Sequence, residues 1–183
     1  MNVAICAYGA GNTRSVQLAL ERLGATARVV DDPQEVRTAD LAVLPGVGSA
    51  GAAMAGLAAR GLDDALRGRA AASRPILGIC LGLQLALEET EEDGGIRGLG
   101  LVPGRSVRLR DGGVPRIGWA ALDGGGETYW YAHSYAAETP AATATAEGVT
   151  AIAEHGAFVG VQFHPEKSGR AGARFLERCL SRV

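Results

Sequence analysis

The stretch that most constrains this chain is Ile76 to Leu87, ILGICLGLQLAL. Pro75 opens a short apolar run, Ile76 to Ile79. Cys80 follows, then Leu81-Gly82, then a second apolar run that meets Glu88, Glu89, Glu91 and Glu92. A run of that length reads as a buried strand and the longer one as a helix continuing into the glutamates. The two are joined by a sharp turn with the cysteine at its apex. Gly78-x-Cys80-x-Gly82 is the thiol counterpart of the Gly-x-Ser-x-Gly nucleophile elbow. A side chain at either glycine would collide with the strand or helix that passes close to the apex. The turn sets the sulfur beside the first N–H groups of a helix, which favours thiolate over thiol and offers donors to a developing oxyanion. A lone cysteine is more often an inert core residue. The paired glycines at a strand-to-helix junction weigh here for a nucleophile.

Around this element the first half of the chain alternates strand and helix. Val3 to Ala7 reads as a strand, and Asn12 is placed to cap a helix carrying Val16, Leu18, Ala19 and Leu23. Gly24 ends that helix, and Thr26 to Val30 is a second strand. Gly9 and Gly11 invite a dinucleotide-loop reading, but Arg14 stands where the third glycine of that motif belongs. Asp32-Pro33 opens a short helix to Ala39, and Leu41 to Leu44 is the next strand. The segment Pro45 to Gly51 is too rich in glycine for a helix. Glycines there let peptide N–H groups turn toward a ligand, at the strand end where α/β sheets bind ligands. Ala52 to Ala72 reads as helical with breaks near Gly61 and Gly68.

Beyond Glu92 the chain is strand-rich. Leu99 to Leu109, Pro115 to Leu122, Glu127 to Ala132 and Thr143 to Ala146 are strand-like pieces, and Thr150 to Glu154 and Phe158 to Phe163 flank a turn at His155-Gly156. A last helix, Ala171 to Leu180, turns Phe175, Leu176 and Cys179 inward. The expected fold is α/β: an open, mostly parallel sheet flanked by helices on both faces, with antiparallel additions in the second half. Residues 1–183 read as a single domain.

Composition serves mainly to exclude. A net charge of −2 gives no basic surface for nucleic acid or anionic membranes. No apolar segment is long enough to span a bilayer and no targeting segment is apparent, so the expected location is cytoplasmic. The three cysteines, Cys6, Cys80 and Cys179, lie far apart and match neither a disulfide framework nor a metal spacing. No metal and no cofactor is expected.

The three histidines make the search for a base short. His155 sits in the hairpin turn. His133, in Tyr131-Ala-His-Ser-Tyr135, lines a site or finishes a strand. His164 follows the buried run to Phe163 and precedes Pro165-Glu166. A strand-end histidine with a carboxylate two residues on suits a nucleophile–base–orienter triad. The preferred set is Cys80, His164 and Glu166.

Leu44-Pro-Gly-Val-Gly48, Gly78-Ile-Cys-Leu-Gly82 and Phe163-His-Pro-Glu166 resemble the signature blocks of the triad-type, class I glutamine amidotransferases. Tyr8-Gly-Ala-Gly-Asn12, Gly98 to Arg105, Ile117-Gly-Trp119, His133-Ser-Tyr135 and Gly160 to Ser168 match, in order, the branch of that family that serves histidine biosynthesis. The resemblance implies a flavodoxin-like fold and hydrolysis of glutamine by Cys80, with His164 relaying protons and Glu166 orienting it. It implies oxyanion donors at Leu81 and Val47, and glutamine contacts at Gly46, Gly48, Gln84, Ser134 and Tyr135. It also implies a partner: a separate (β/α)₈ cyclase subunit, forming a heterodimer. The partner takes up the ammonia and makes imidazole glycerol phosphate and an aminoimidazole carboxamide ribonucleotide. Asn12, Trp119, Trp130 and Lys167 would face it. Two positions depart from the branch pattern: Ala50 stands where Phe is common, and Ala120 where Asn follows Gly-Trp. Rival readings are a glutaminase for anthranilate, aminodeoxychorismate or pyridoxal phosphate synthesis, a stand-alone cysteine hydrolase, and a non-catalytic binding module.

Overall fold

Strand and helix alternate from the first residues. The structure, a computed structural model, describes residues 1–9, 11–110 and 113–183; Ala10, inside the Tyr8–Asn12 block, lies outside them. β1 (Asn2–Cys6) is followed by α1 (Thr13–Glu21), β2 (Thr26–Val30), α2 (Pro33–Thr38), β3 (Leu41–Gly46), α3 (Ala50–Ala58), α4 (Leu62–Ala71), β4 (Ile76–Cys80) and α5 (Leu81–Ala86). Short strands come next: β5 (Glu89–Thr90), β6 (Ile96–Arg97), β7 (Arg105–Arg108), β8 (Arg116–Ala121), β9 (Thr128–His133), β10 (Tyr135–Glu138), β11 (Ala142–Ala146), β12 (Val149–His155) and β13 (Phe158–Val161). The helix α6 (Gly169–Leu180) follows.

Among the described residues the main sheet runs β11-β12-β13-β4-β3-β1-β2. The pairs from β13 through β2 are parallel, and β12 and β11 are antiparallel additions at one edge. β10-β7-β5-β6 forms a second sheet and β8-β9 a third. The central strands are buried on both faces, so they read as continuous apolar runs. Alternate residues feed opposite layers. Ala4, Cys6, Ala42, Leu44 and Ile76 pack with Val36, Leu57, Leu66 and Leu83 on the side of α2 to α5. Val3, Ile5, Val43, Leu77 and Ile79 pack with Val16, Leu20, Phe175 and Leu176 of α1 and α6.

Local chemistry explains most boundaries. Asp32 accepts from the Gln34 N–H at 2.7 Å and Pro33 occupies the first turn of α2. Gly61, at φ +65°, makes the left-handed link between α3 and α4. The β12-β13 hairpin and the inward Phe175, Leu176 and Cys179 of α6 are as expected.

Several expectations are corrected. Asn12 stands at the N-cap of α1 but its side chain makes no capping bond. Gly51 lies inside α3, because Ser49 caps the helix and Asp93 accepts the Gly51 N–H at 2.8 Å. Gly68 lies within α4 and breaks nothing. The helix after Cys80 ends at Ala86, two residues before Glu88, and does not continue through the glutamates. Those carboxylates are taken up by distant backbone: Glu88 accepts from Gly104, Glu91 from Arg108 and Glu92 from Ala50, at 2.9 to 3.0 Å. Leu99 to Pro103 is not strand, and Tyr135–Glu138 is a strand (β10) that the sequence reading left out.

At the N-terminal ends of β3 and β4, Arg69 of α4 is buried. Its guanidinium donates to the carbonyls of Val36, Arg37, Ala39, Asp40 and Pro75 at 2.7 to 3.3 Å. One side chain thereby ties α2 to the entries of both strands. Burial, then Arg74, lowers its pKa to about 10, against the charges of Cys6 and Asp40, so it stays charged at neutral pH.

Candidate functional site

The opposite end of β4 carries Cys80. Its backbone is at φ +53°, ψ −107°, a strained conformation for a residue with a side chain. The expected glycine roles hold. A Cβ on Gly82 would lie 1.8 Å from the Leu44 oxygen, and one on Gly78 would lie 2.6 Å from the Phe158 ring and 3.0 Å from Gly82. The strand therefore turns directly into α5, and the sulfur projects from the C-terminal edge of the sheet.

His164 lies just past the end of β13, the strand beside β4. Its backbone N–H donates to the Trp130 carbonyl at 2.9 Å, and its carbonyl accepts from the Ser168 hydroxyl at 2.7 Å. Nδ1 is 2.9 Å from Glu166 Oε1, with both side chains almost wholly buried. Burial works against the imidazolium, but hydrogen bonds and charge from Cys80 and Glu166 outweigh it, and the pKa rises to about 9. The Cys80, His164 and Glu166 side chains are thus brought together.

Cys80 opens onto a cavity of about 220 Å³. Val47, Gly48, Leu81, Gln84, Ser134 and Tyr135 all line it, as do Glu92 and His133. Gly46 lies beneath rather than in the wall: a Cβ there would meet Leu81 and the Tyr8 hydroxyl at 2.7 Å. The Tyr8 hydroxyl donates a short hydrogen bond to the Pro45 carbonyl and so anchors the loop. Burial, reinforced by the charges of Cys6 and Cys80, pushes the Tyr8 phenol well up, which keeps it a donor.

His133 both finishes a strand and lines the cavity. Nδ1 is 2.8 Å from the Tyr135 carbonyl, which can only accept, so Nδ1 carries the proton and Nε2 is a lone pair without a partner among the described residues. Burial lowers its pKa to about 4, aided by Arg116 and His164 against the Tyr135 hydrogen bond. Burial thus moves His133 down while partners carry His164 up.

Three polar side chains at the site were not singled out from sequence. Glu92 faces the cavity while accepting the Ala50 N–H at 3.0 Å; burial, then Asp93, raises its pKa against that bond. Gln162 is fully buried and its Nε2 lies 3.6 Å from Cys80 Sγ. Ser168 accepts from the Trp130 N–H at 2.9 Å, tying β9 to the turn that holds His164. A carboxylate after a helix and a glutamine just past a strand give no local signal, since both contacts are made across the fold.

The residues expected to face a partner gather near this end. Trp119 is 56% exposed and meets the half-buried Trp130 edge-on, with ring centroids 5.7 Å apart. Ile117, on the same face of β8, is 62% exposed. Lys167 is exposed on the turn Pro165–Lys167, which packs against both β9 and the helix that begins after Asn12. The two departures are buried: Ala50 begins α3 and Ala120 lies on the inner face of β8. Among the described residues no helix is long and apolar enough to cross a membrane.

Residues 4–183 match the family model described as glutamine amidotransferase class-I. A protein of Symbiobacterium thermophilum named imidazole glycerol phosphate synthase subunit HisH is 46% identical, over 95% of this chain and 91% of its own length. One of the same name from Methanothermobacter thermautotrophicus is 44% identical over 95% of each. Among solved structures, one titled glutamine amidotransferase superposes with a TM-score of 0.82 at 19% identity, over 99% of both chains, and so shares the fold.

Proposed function

The chain belongs to the class I glutamine amidotransferases, and from that premise we propose that it is the glutaminase subunit of an imidazole glycerol phosphate synthase, a single domain acting in the cytoplasm. The observation that carries the chemistry is the buried His164–Glu166 pair beside a cysteine held at positive φ on the floor of a cavity. The identity of the HisH relatives over nearly the whole chain supports the choice within the family.

The residues divide the reaction as follows. Glutamine enters the cavity with its α-ammonium toward the Glu92 carboxylate and Gln84, and its α-carboxylate toward Ser134 and Tyr135. Gly46 and Gly48 shape the loop against it. Cys80, its proton passed to His164, attacks the side-chain carbonyl carbon. The carbonyl oxygen takes the negative charge and is met by the N–H groups of Leu81 and Val47. His164 returns the proton to the amide nitrogen, the carbon–nitrogen bond breaks, and ammonia leaves a γ-glutamyl thioester. Water then attacks the thioester while His164 accepts its proton, and glutamate departs as the proton returns to sulfur. Glu166 holds the Nδ1 proton throughout and stabilises the imidazolium.

Ammonia passes to a (β/α)₈ cyclase subunit docked as a heterodimer on the face that exposes Ile117 and Trp119, with Asn12, Trp130 and Lys167 around it. Exposed aromatic and aliphatic side chains flanked by a cation suit such an anchor. The loop Pro45–Gly48 offers either N–H or C=O to the site, and a misdirected peptide withholds an oxyanion donor worth roughly 3–4 kcal/mol. Docking shifts that balance. The test measures glutamate release by the chain alone, with the cyclase subunit, and with the cyclase plus an analogue of its phosphoribosyl substrate. Activity should rise at each step. Full activity in the isolated chain would favour the stand-alone hydrolase instead.

A further inference from the structure

Gln162 is fully buried between Cys80 and Gln84, and hydrogen-bond polarity fixes which way its amide points. The Tyr135 carbonyl can only accept. Gln84 approaches it at 2.8 Å, so the atom there is Nε2, a donor. The same nitrogen lies 3.2 Å from Gln162, which must answer with its oxygen, Oε1. That leaves Gln162 Nε2 facing the Cys80 sulfur at 3.6 Å, within range for an N–H to sulfur bond. The backbone adds rigidity, since the Gln162 N–H donates to the Ala151 carbonyl at 2.9 Å. Turning over Gln84 would set oxygen against oxygen, and turning over Gln162 would set N–H against N–H, in a dry interior.

We propose that Gln162 is a further catalytic residue: its side-chain N–H donates to the Cys80 sulfur and holds negative charge there before attack, with Gln84 as the positioning residue that fixes its direction. The inference rests on reading Cys80 as the nucleophile. It explains why a neutral amide is placed against the reactive sulfur. The ionisable groups around Cys80 are Tyr8 beyond β1, His164 and Glu166 beyond β13, and Glu92 and His133 in the cavity wall. Of these, His164 also hydrogen-bonds the sulfur. A donor that strengthens on ionisation favours thiolate over thiol.

The test is the pH dependence of Cys80 alkylation by iodoacetamide in the full chain, with the adduct located by peptide mass spectrometry and folding checked by circular dichroism. Gln162→Met keeps length and removes the donor, and its alkylation midpoint should rise by about one pH unit, a tenfold slower reaction below the midpoint. Gln162→Glu puts a carboxylate against the sulfur and should move it further. Gln84→Leu frees the Gln162 amide and should give a smaller shift in the same direction. If Gln162→Met does not fold, the other two decide. A wild-type midpoint in every folded variant, with Cys80 still the labelled site, would overturn the inference, because a purely structural glutamine leaves that profile unmoved. Labelling of a different cysteine in the wild-type chain would instead remove the assignment of Cys80 beneath it.

Discussion

Arg69 and His164 are both buried, 1% and 2% exposed, near opposite ends of the same sheet, and their surroundings differ in kind. Arg69 meets five fixed backbone carbonyls through its two Nη atoms, leaving only Nε without a partner among its nitrogens. His164 meets a carboxylate and a thiol beside a cavity, where Glu166 Oε2 and His133 Nε2 have no partner among the described residues. Surrounding a cation with rigid acceptors holds the elements that bear them in one arrangement. Leaving side-chain partners able to exchange protons holds the fold less firmly and makes chemistry possible. Buried polarity therefore serves stability at one end and, on the function proposed above, reactivity at the other.

The sharpest test of that division is Cys80→Ser. Exchanging sulfur for oxygen should lower glutaminase turnover at least about a thousandfold with the unfolding midpoint unchanged, because the hydroxyl is a far weaker nucleophile at neutral pH. A glutamine-like electrophile should label Cys80 and spare Cys6 and Cys179, whose thiols burial pushes up to about 12. Equal labelling of all three would break the comparison at its functional end.

Next in size, His164→Ala removes the proton carrier and should lower the single-turnover rate by roughly a hundredfold to ten-thousandfold. Glu166→Gln should cost less, since it removes an orienting charge and keeps a side chain of the same shape. A larger loss in Glu166→Gln would mean that the roles given to the pair are wrong.

Arg69→Met probes the other end. It strands several buried carbonyls, each worth roughly 1–3 kcal/mol when unsatisfied, and should lower the unfolding free energy by about 3 kcal/mol in denaturant titrations. Turnover per folded molecule should be unchanged. A loss of turnover without a loss of stability would show that the two ends are not separable.

The smallest expected effect separates the two site histidines by pH. His164, raised to about 9, binds more protons folded than unfolded between pH 6.5 and 9, so its contribution is complete below 6.5 and is lost as pH rises through 9. His133, lowered to about 4, binds fewer protons folded than unfolded between pH 4 and 6.5, so its contribution is present above 6.5 and is lost as pH falls through 4. Together they place a stability maximum near pH 6.5. His133→Gln should flatten the acid limb alone. Thermal unfolding across pH 4 to 9 checks this, and an acid limb unchanged in the variant would show that His133 is not held neutral.

How much of this was legible beforehand depended on the reach of each contact. The elbow was, because Gly78 and Gly82 stand beside the apex in sequence and their steric purpose is local. His164 and Glu166 lie two residues apart, so their pairing was also within reach. The helix after Cys80 was read too long, because the local pattern favours continuation. The glutamates instead accept backbone N–H groups 16 to 42 residues away in the sequence. Glu92 and Gln162 were missed for the same reason, their partners Ala50 and Cys80 being 42 and 82 residues distant.

The sequence alone determined the strand–turn–helix around Cys80, the alternation that builds a parallel sheet and the residues of the proposed triad, since each depends on sterics or spacing over a few residues. Tertiary structure decided the protonation of two histidines, opposite in direction though both are buried. It also decided the direction of two glutamine amides and the cage around Arg69. Those properties come from the sum of burial and partners in space, and the partners arrive from segments that the order of residues does not bring together.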